Sequence, residues 1–410
     1  MVAIDTTPTA PATREQSLRQ WLKRTQETLA YRSIQGRKFN RLFNLLRTKR
    51  LVEVALDNVL ANTGAKTAGV DGVTRKELAD AQSRTLLIEE INRELCSKTY
   101  QPRPVRRVYI PKSNGDQRPL GIPTIKDRVV QEMLRLILEP IYEARFYAHS
   151  YGFRPFRSAH HAAVRLKFLI GKQGYTVAVE GDIRKCFDRI HHDKLLDILR
   201  KTIRDERIIR IIREMLTAGV MEDGAWQVTD EGTPQGGIVS PLLANIYLNE
   251  LDQFVAAKWD RLSDWTKRRH GKPSAIPCYI VRYADDFVIL VRGTLEQGEQ
   301  IKAEVAAFLT QELHLEVSTE KTLVTDVKQG IDFLGFTIRK YRSVTLITPS
   351  RKAMEKFRAK VKEKVQQYFW QGDVEGIAHL NRFLLGWGMY YRRVSSARQF
   401  RQADHYSITR

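Results

Sequence analysis

The sequence predicts an α+β fold centred on a split βαβ unit. Three observations lead there. Between residues 176 and 317 the elements run strand–helix–strand–strand–helix–strand. Apolar residues fill 42% of 410 positions and charged residues 28%, enough apolar material for a large core and too much for a wholly disordered chain. Lys and Arg number 68 against 47 Asp and Glu, a net charge of +21 that favours a polyanionic partner, nucleic acid first. A chain of this length is expected to form two or three subdomains. Its three cysteines (Cys96, Cys186, Cys278) are too few and scattered for a disulfide framework or zinc site, which suits a reducing compartment. No apolar run approaches the ~20 residues that span a bilayer, and no secretory pattern opens the sequence, so no membrane partner is expected.

Residues 1–13, rich in Thr, Ala and Pro, are expected to be disordered. From Arg14 to Arg50 there are 11 basic and 2 acidic residues, and Leu18, Trp21, Leu22 and Leu29 suit a helix, giving a basic helical arm. A loop with Gly64, Gly69 and Gly72 precedes a helix ending near Lys98. Residues 107–123 predict a β-hairpin: Val108 and Ile110 alternate, Asn114-Gly115 turns the chain, and Leu120 and Ile122 alternate on the return. TIKD (124–127) opens a helix as a capping box. Val129, Met133, Ile137 and Ile141, with Val130, Leu134 and Leu138, give it a wide apolar face, interrupted near Pro140.

Residues 176–183 read as a strand, followed by a helix over about 193–216, the loop GTPQGG (232–237) and a helix carrying Leu242, Leu243, Ile246 and Leu248. The stretch 258–273, with Lys267, Arg268 and Arg269, reads as a polar insertion. CYIVRY (278–283) and FVILV (287–291) are strands joined at Ala284-Asp285-Asp286. A helix over 295–312, a strand near Leu315–Val317 and a small sheet over 332–339 and 343–347 follow. The last 61 residues hold 13 basic and 5 acidic side chains, and Met354, Phe357, Val361, Val365 and Tyr368 define an amphipathic helix.

In the split arrangement the end of the first strand lies beside the tip of the later hairpin. Asp182 is therefore expected to share a sheet edge with Asp285 and Asp286, 103 and 104 residues further on. A bare Asp-Asp pair is usually a solvated turn, but YADDFVILV is apolar on both sides of its acids. Three converging carboxylates repel unless a cation compensates. Hard oxygen donors suit Mg²⁺, and two such ions clamp an in-line phosphoryl displacement, one at a primer 3′-hydroxyl and one at the leaving pyrophosphate. The pairs His160-His161 and His191-His192 have no partners at zinc spacing, so surface or helix-start roles are expected.

On these residues the chain resembles a family. YADD (283–286) is similar to the Y-x-D-D signature of reverse transcriptases, and GDIRKCFDRI (181–190) to the strand bearing their first catalytic aspartate. GTPQGGIVSPLLANIYLNELD (232–252) resembles the block that follows in bacterial group II intron-encoded proteins. NTGAKTAGVDGVT (62–74), RVYIPKSNGDQRPLGIPTIKDRVVQ (107–131), SYGFRP (150–155), EKT (320–322) and DFLGF (332–336) match in order, and LNRFLLGWGMYYRRV (380–394) resembles the start of the maturase domain X. The resemblance implies a right-hand polymerase: N-terminal basic extension and fingers over 14–175, palm over 176–340, and a helical thumb, domain X, over 341–410.

It further implies that Asp182, Asp285 and Asp286 bind two Mg²⁺ ions, with the Ile183 carbonyl as an extra ligand. Phe187, five residues after Asp182, takes the place of the aromatic that blocks a ribose 2′-hydroxyl; an ordinary core ring is the competing reading. Lys112 and Arg118 would neutralise the dNTP triphosphate, and Gln235 would lie beside the nucleotide. Gly335 would grip the primer, while Arg106, Arg107, Arg154 and Lys321 would touch nucleic acid; solvated basic side chains and plain turns compete for each. The implied partners are an RNA template with DNA primer, dNTPs, group II intron RNA and target DNA, in a bacterial cytoplasmic ribonucleoprotein. Family members usually continue into a DNA-binding region, whereas RQADHYSITR falls within domain X, which places full mobility in doubt. A noncatalytic RNA-binding maturase and a polymerase core working in CRISPR adaptation or phage defence are the alternatives. The intact aspartates argue against the first, and the domain X-like tail against the second.

Overall fold

A computed structural model describes residues 13–409 apart from 112–114, 116, 223–224, 228–231, 233–235, 270–275, 319–321 and 372–373. The chain divides into two compact units, Met1–Phe146 with Lys185–Asn249, and Tyr147–Arg184 with Glu250–Arg410.

In the first unit Thr13, expected to be disordered, is instead the N-cap of the helix Arg14–Ile34, in a reciprocal capping box with Gln16; residues 1–12 lie outside the described residues. This helix and Lys49–Ala61 both pack on Ile125–Glu143, whose residues Val129, Met133, Leu134, Ile137 and Ile141 are buried. That central helix runs through Pro140 to Glu143 rather than breaking there. Proline leaves the Leu136 carbonyl without its usual donor, and the Gln26 amide supplies one at 3.0 Å. At the other end the Thr124 hydroxyl oxygen accepts from Asp127 N–H. The Asp127 carboxylate does not reach back as in a capping box; it accepts from Thr124, Tyr100 and Arg103.

The expected hairpin is present as Val105–Pro111 and Gln117–Ile122, antiparallel in register. A second small hairpin, Val220–Glu222 with Ala225–Gln227, extends it into a four-stranded sheet by parallel pairing at Val105. The single helix expected over 193–216 is two, His192–Arg200 and Glu206–Thr217. Between them Ile203 bridges to Phe39 and the Asp205 carboxylate accepts from Phe43 N–H, contacts that a continuous helix would forbid.

In the second unit four strands, all antiparallel to their neighbours, lie in the order Cys278–Tyr283, Asp286–Val291, Val177–Asp182 and Leu323–Asp326. The first and third of these run parallel, as the split arrangement requires. Helices Ala159–Lys172 and Leu295–Leu313 pack on the sheet. The strand expected near Leu315–Val317 reduces to one bridge, Val317 to Ile183. Leu315 N–H is drawn back to the Leu309 carbonyl at the helix C-terminus, so regular pairing starts only at Leu323. A smaller sheet, Ile331–Phe333, Phe336–Tyr341 and Val344–Pro349, leads into helices Arg351–Gln371, Val374–Tyr391 and Ala397–Ile408. Met354, Phe357 and Val361 bury the amphipathic face of Arg351–Gln371 against Phe383, Trp387 and Ala403; the Tyr368 side chain lies outside the described residues. Within the expected insertion the described part forms a short helix, Asp264–Arg269.

Candidate active site

Backbone register gathers the acids. Asp182 stands directly opposite Asp286, and Tyr283 pairs with Asp286 across a two-residue turn, Ala284-Asp285. The Asp182 carbonyl accepts from Ser318 N–H at 2.8 Å and Arg184 N–H donates to Glu316. The Asp182 backbone therefore faces away from Asp286, which makes theirs the close kind of antiparallel pair, Cα atoms about 4.5 Å apart and side chains on one face. By the same alternation the Ile183 carbonyl points toward the hairpin. Asp182 and Asp285 are half-buried and Asp286 exposed.

Like charges directly opposite destabilise a sheet. Hard carboxylate and carbonyl oxygens converging on one edge are the donor set that a divalent cation takes, so the residues fit such an ion. The side chains are not already closed on a common point: among the described residues no three His, Cys, Asp or Glu groups form a ready-made metal cage.

The turn is held from beneath by residues the sequence reading passed over. Arg282 and Asp252 are both fully buried, joined through Nε to Oδ1 at 2.8 Å and Nη2 to Oδ2 at 2.6 Å. The remaining nitrogen, Nη1, donates to the Ala284 carbonyl at 2.8 Å. Ala284 has φ 58°, at the first central position of a turn that ordinarily takes glycine. Arg282 N–H donates to the His149 carbonyl and Tyr151 N–H to the Arg282 carbonyl. Gly152 lies so close that a Cβ there would stand 2.3 Å from Ala284 N. An arginine inside the apolar run CYIVRY was the available signal, since a buried charge requires a partner. On the strand Val177–Asp182, Gly181 lies opposite Phe287, whose ring covers the place a side chain would fill. Glu180 occupies the same strand face as Asp182; burial, then the neighbouring Asp332, pushes its carboxyl up to about 7.

The structure places the remaining candidates unevenly. Arg118 is exposed on the returning strand of the hairpin. Lys112, Gln235 and Lys321 lie outside the described residues. Phe187 is half-buried in a single 3-10 turn, Cys186–Asp188. Arg106 is half-buried and gives both Nε and Nη2 to the Ala68 carbonyl, which braces the glycine loop. Arg107 Nε is buried with no hydrogen-bond partner among the described residues. Arg154 is 6% exposed and donates to the Tyr147 and Ser150 carbonyls, securing the loop beside Arg282. Gly335 follows Leu334 in a turn with positive φ at both residues, and its carbonyl accepts from Ser350 N–H and the Tyr391 hydroxyl. It borders a cavity of about 700 Å³ that Lys352, Lys356 and Lys360 line on successive turns of one helix. His191 is an N-cap, His192 meets the Gly232 carbonyl and His160 the Tyr390 carbonyl.

Residues 110–338 match the family profile described as reverse transcriptase (RNA-dependent DNA polymerase), and residues 354–410 match the maturase-specific domain of group II introns. The chain is 39% identical over 325 residues to protein YkfC of Escherichia coli K12, covering 75% of this chain and 84% of that one. It is 39% identical over 354 residues to the group II intron-encoded protein LtrA of Lactococcus lactis, covering 75% of this chain but only 58% of LtrA. Among solved structures, telomerase from Candida albicans aligns over 76% of this chain and 59% of its own, with TM-score 0.45 and 14% identity, a loose likeness. No helix among the described residues is long and apolar enough to cross a membrane.

Proposed function

We propose, since this chain belongs to the reverse transcriptases encoded by group II introns, that it copies an RNA template into DNA at the Asp182–Asp286 edge and binds its intron RNA to assist splicing and retrohoming. The observation that carries the catalytic half is the register that sets Asp182 opposite Asp286 at the mouth of the Ala284-Asp285 turn. Asp182, Asp285, Asp286 and the Ile183 carbonyl would hold Mg²⁺. Two such ions, when bound, supply charge neutralisation for in-line transfer of a nucleotidyl group to a primer 3′-hydroxyl.

The chain's own groups do the rest. Arg118 and Lys112 bind the triphosphate of the incoming dNTP, and Gln235 orients it. Phe187 rejects a 2′-hydroxyl by clash. The Gly335 turn lets backbone approach the primer, while Arg107 and Lys321 meet phosphates. Arg106 and Arg154 act indirectly, through the loops they hold. Lysines on the helix Arg351–Gln371 add to the attraction for RNA, and the protein acts in a ribonucleoprotein with target DNA as a further partner. A maturase without polymerase chemistry is the weaker reading, since all three acids are in place. Primer extension on an RNA template with Mg²⁺ and dNTPs tests the proposal. Synthesis by the native protein, and its loss in Asp285→Asn with RNA binding retained, is expected; undiminished synthesis in that variant overturns the site.

A further inference from the structure

Beside the catalytic turn, in the same unit, two phenylalanines occupy positions that backbone preference and burial both oppose. Phe153 and Phe156 adopt left-handed backbone, φ 53° and 60°. Pro155 precedes Phe156, and Arg157 N–H turns back to the Arg154 carbonyl at 3.4 Å. This is the turn whose third residue must have positive φ and is ordinarily Gly or Asn. A bulky side chain there strains the backbone. At Phe156 packing does not offset the strain, because its ring is 99% exposed; Phe153 is 57% exposed. Strain and exposed aromatic surface together indicate a binding role.

The loop is fixed relative to the catalytic turn. Arg154, between the two rings, is tied to the Tyr147 and Ser150 carbonyls. Tyr151 N–H holds the Arg282 carbonyl, and Gly152 abuts Ala284. The segment itself is basic: residues 144–179 contain six Lys and Arg and not one Asp or Glu, the acids beside it being those of the Ala284-Asp285 turn. Flat exposed rings in such a field suit unpaired bases, whose faces stack while their phosphates meet the positive charge. We infer that Phe153 and Phe156 form a stacking platform for unpaired bases of a single-stranded polynucleotide fed to the catalytic edge. The inference rests on the polymerase reading for its purpose, but its test needs no polymerisation.

The test uses the full chain and a short oligouridylate. Phe156→Gly suits the turn better, so its melting temperature should stay level or rise while affinity for the oligomer falls roughly tenfold. Affinity for a blunt duplex of equal charge should be unchanged. Phe156→Trp should add a fluorescence signal that the oligomer quenches, and should do so also in an Asp285→Asn background that makes no DNA. That background separates failure of the platform from failure of the polymerase site. A lowered melting temperature in Phe156→Gly would mean that the ring serves packing, and unchanged oligomer affinity that the surface serves some other partner; either overturns the inference.

Discussion

Replacing Arg282 by Met probes the support under the Ala284-Asp285 turn. It would leave the Asp252 carboxylate fully buried with its two guanidinium donors gone. Removing one member of a buried ion pair costs about 3–5 kcal/mol, and the orphaned Ala284 carbonyl adds roughly 1 kcal/mol. For a unit of this size each kcal/mol lowers the melting temperature by roughly 2–4 °C, so a fall on the order of 10 °C is expected. The informative comparison is Arg282→Met with Asp252→Leu. Replacing both charges by apolar groups of similar volume is often neutral for stability, so this protein should melt near the native temperature. It still lacks the donor that fixes the Ala284 carbonyl beside Asp285. Misplacement of a reacting group by about 1 Å can cost a hundredfold, so kcat for single-nucleotide addition should fall roughly 10- to 100-fold, with little change in RNA affinity. Thermal melts, single-turnover extension and RNA titration on both variants decide it. Native kcat in the stable double variant would show that the pair serves folding alone.

Gly152→Ala should impair synthesis and stability together, since its methyl would stand 2.3 Å from backbone that cannot move aside without shifting the turn; paired melts and extension assays test this. Phe187→Ala should raise incorporation of ribonucleotides relative to deoxyribonucleotides, read by competition on one template, and unchanged selectivity would remove the gate. His149 gives a pH signature. Burial, then Arg165, lowers its pKa from 6.5 to about 4; Arg157, Asp260 and the rings of Tyr147, Tyr151 and Tyr279 also face it. The unfolded chain takes up the proton first, so stability should fall as pH drops from about 6.5 to 4, by up to roughly 3 kcal/mol. His149→Gln should flatten that slope in melts across the window, and an unaltered slope would assign it to other groups.

The sheet edge that gathers Asp182, Asp285 and Asp286 was legible because its signals are local. Two apolar strands flank a two-residue turn, and strand order fixes which acid they meet. What stayed hidden depends on partners distant in sequence. The break between His192–Arg200 and Glu206–Thr217 is imposed by Phe39 and Phe43. Continuation of the central helix through Pro140 depends on Gln26. Arg106 and Arg154 read as phosphate ligands in one dimension, and the carbonyls that each also holds show only once the chain folds. Arg282 and Asp252, 30 residues apart, showed only as charges amid apolar neighbours, a sign that burial is present without saying with whom.

Cleavage by bound iron tests most directly whether these three acids share a cation. Fe²⁺ replacing Mg²⁺, with ascorbate and peroxide, cuts backbone close to where it is held. The account predicts cuts near Asp182 and also near Asp285–Asp286, both suppressed by excess Mg²⁺ and both lost in Asp182→Asn. Cuts confined to one of the two segments, or persisting at both in that variant, would contradict it.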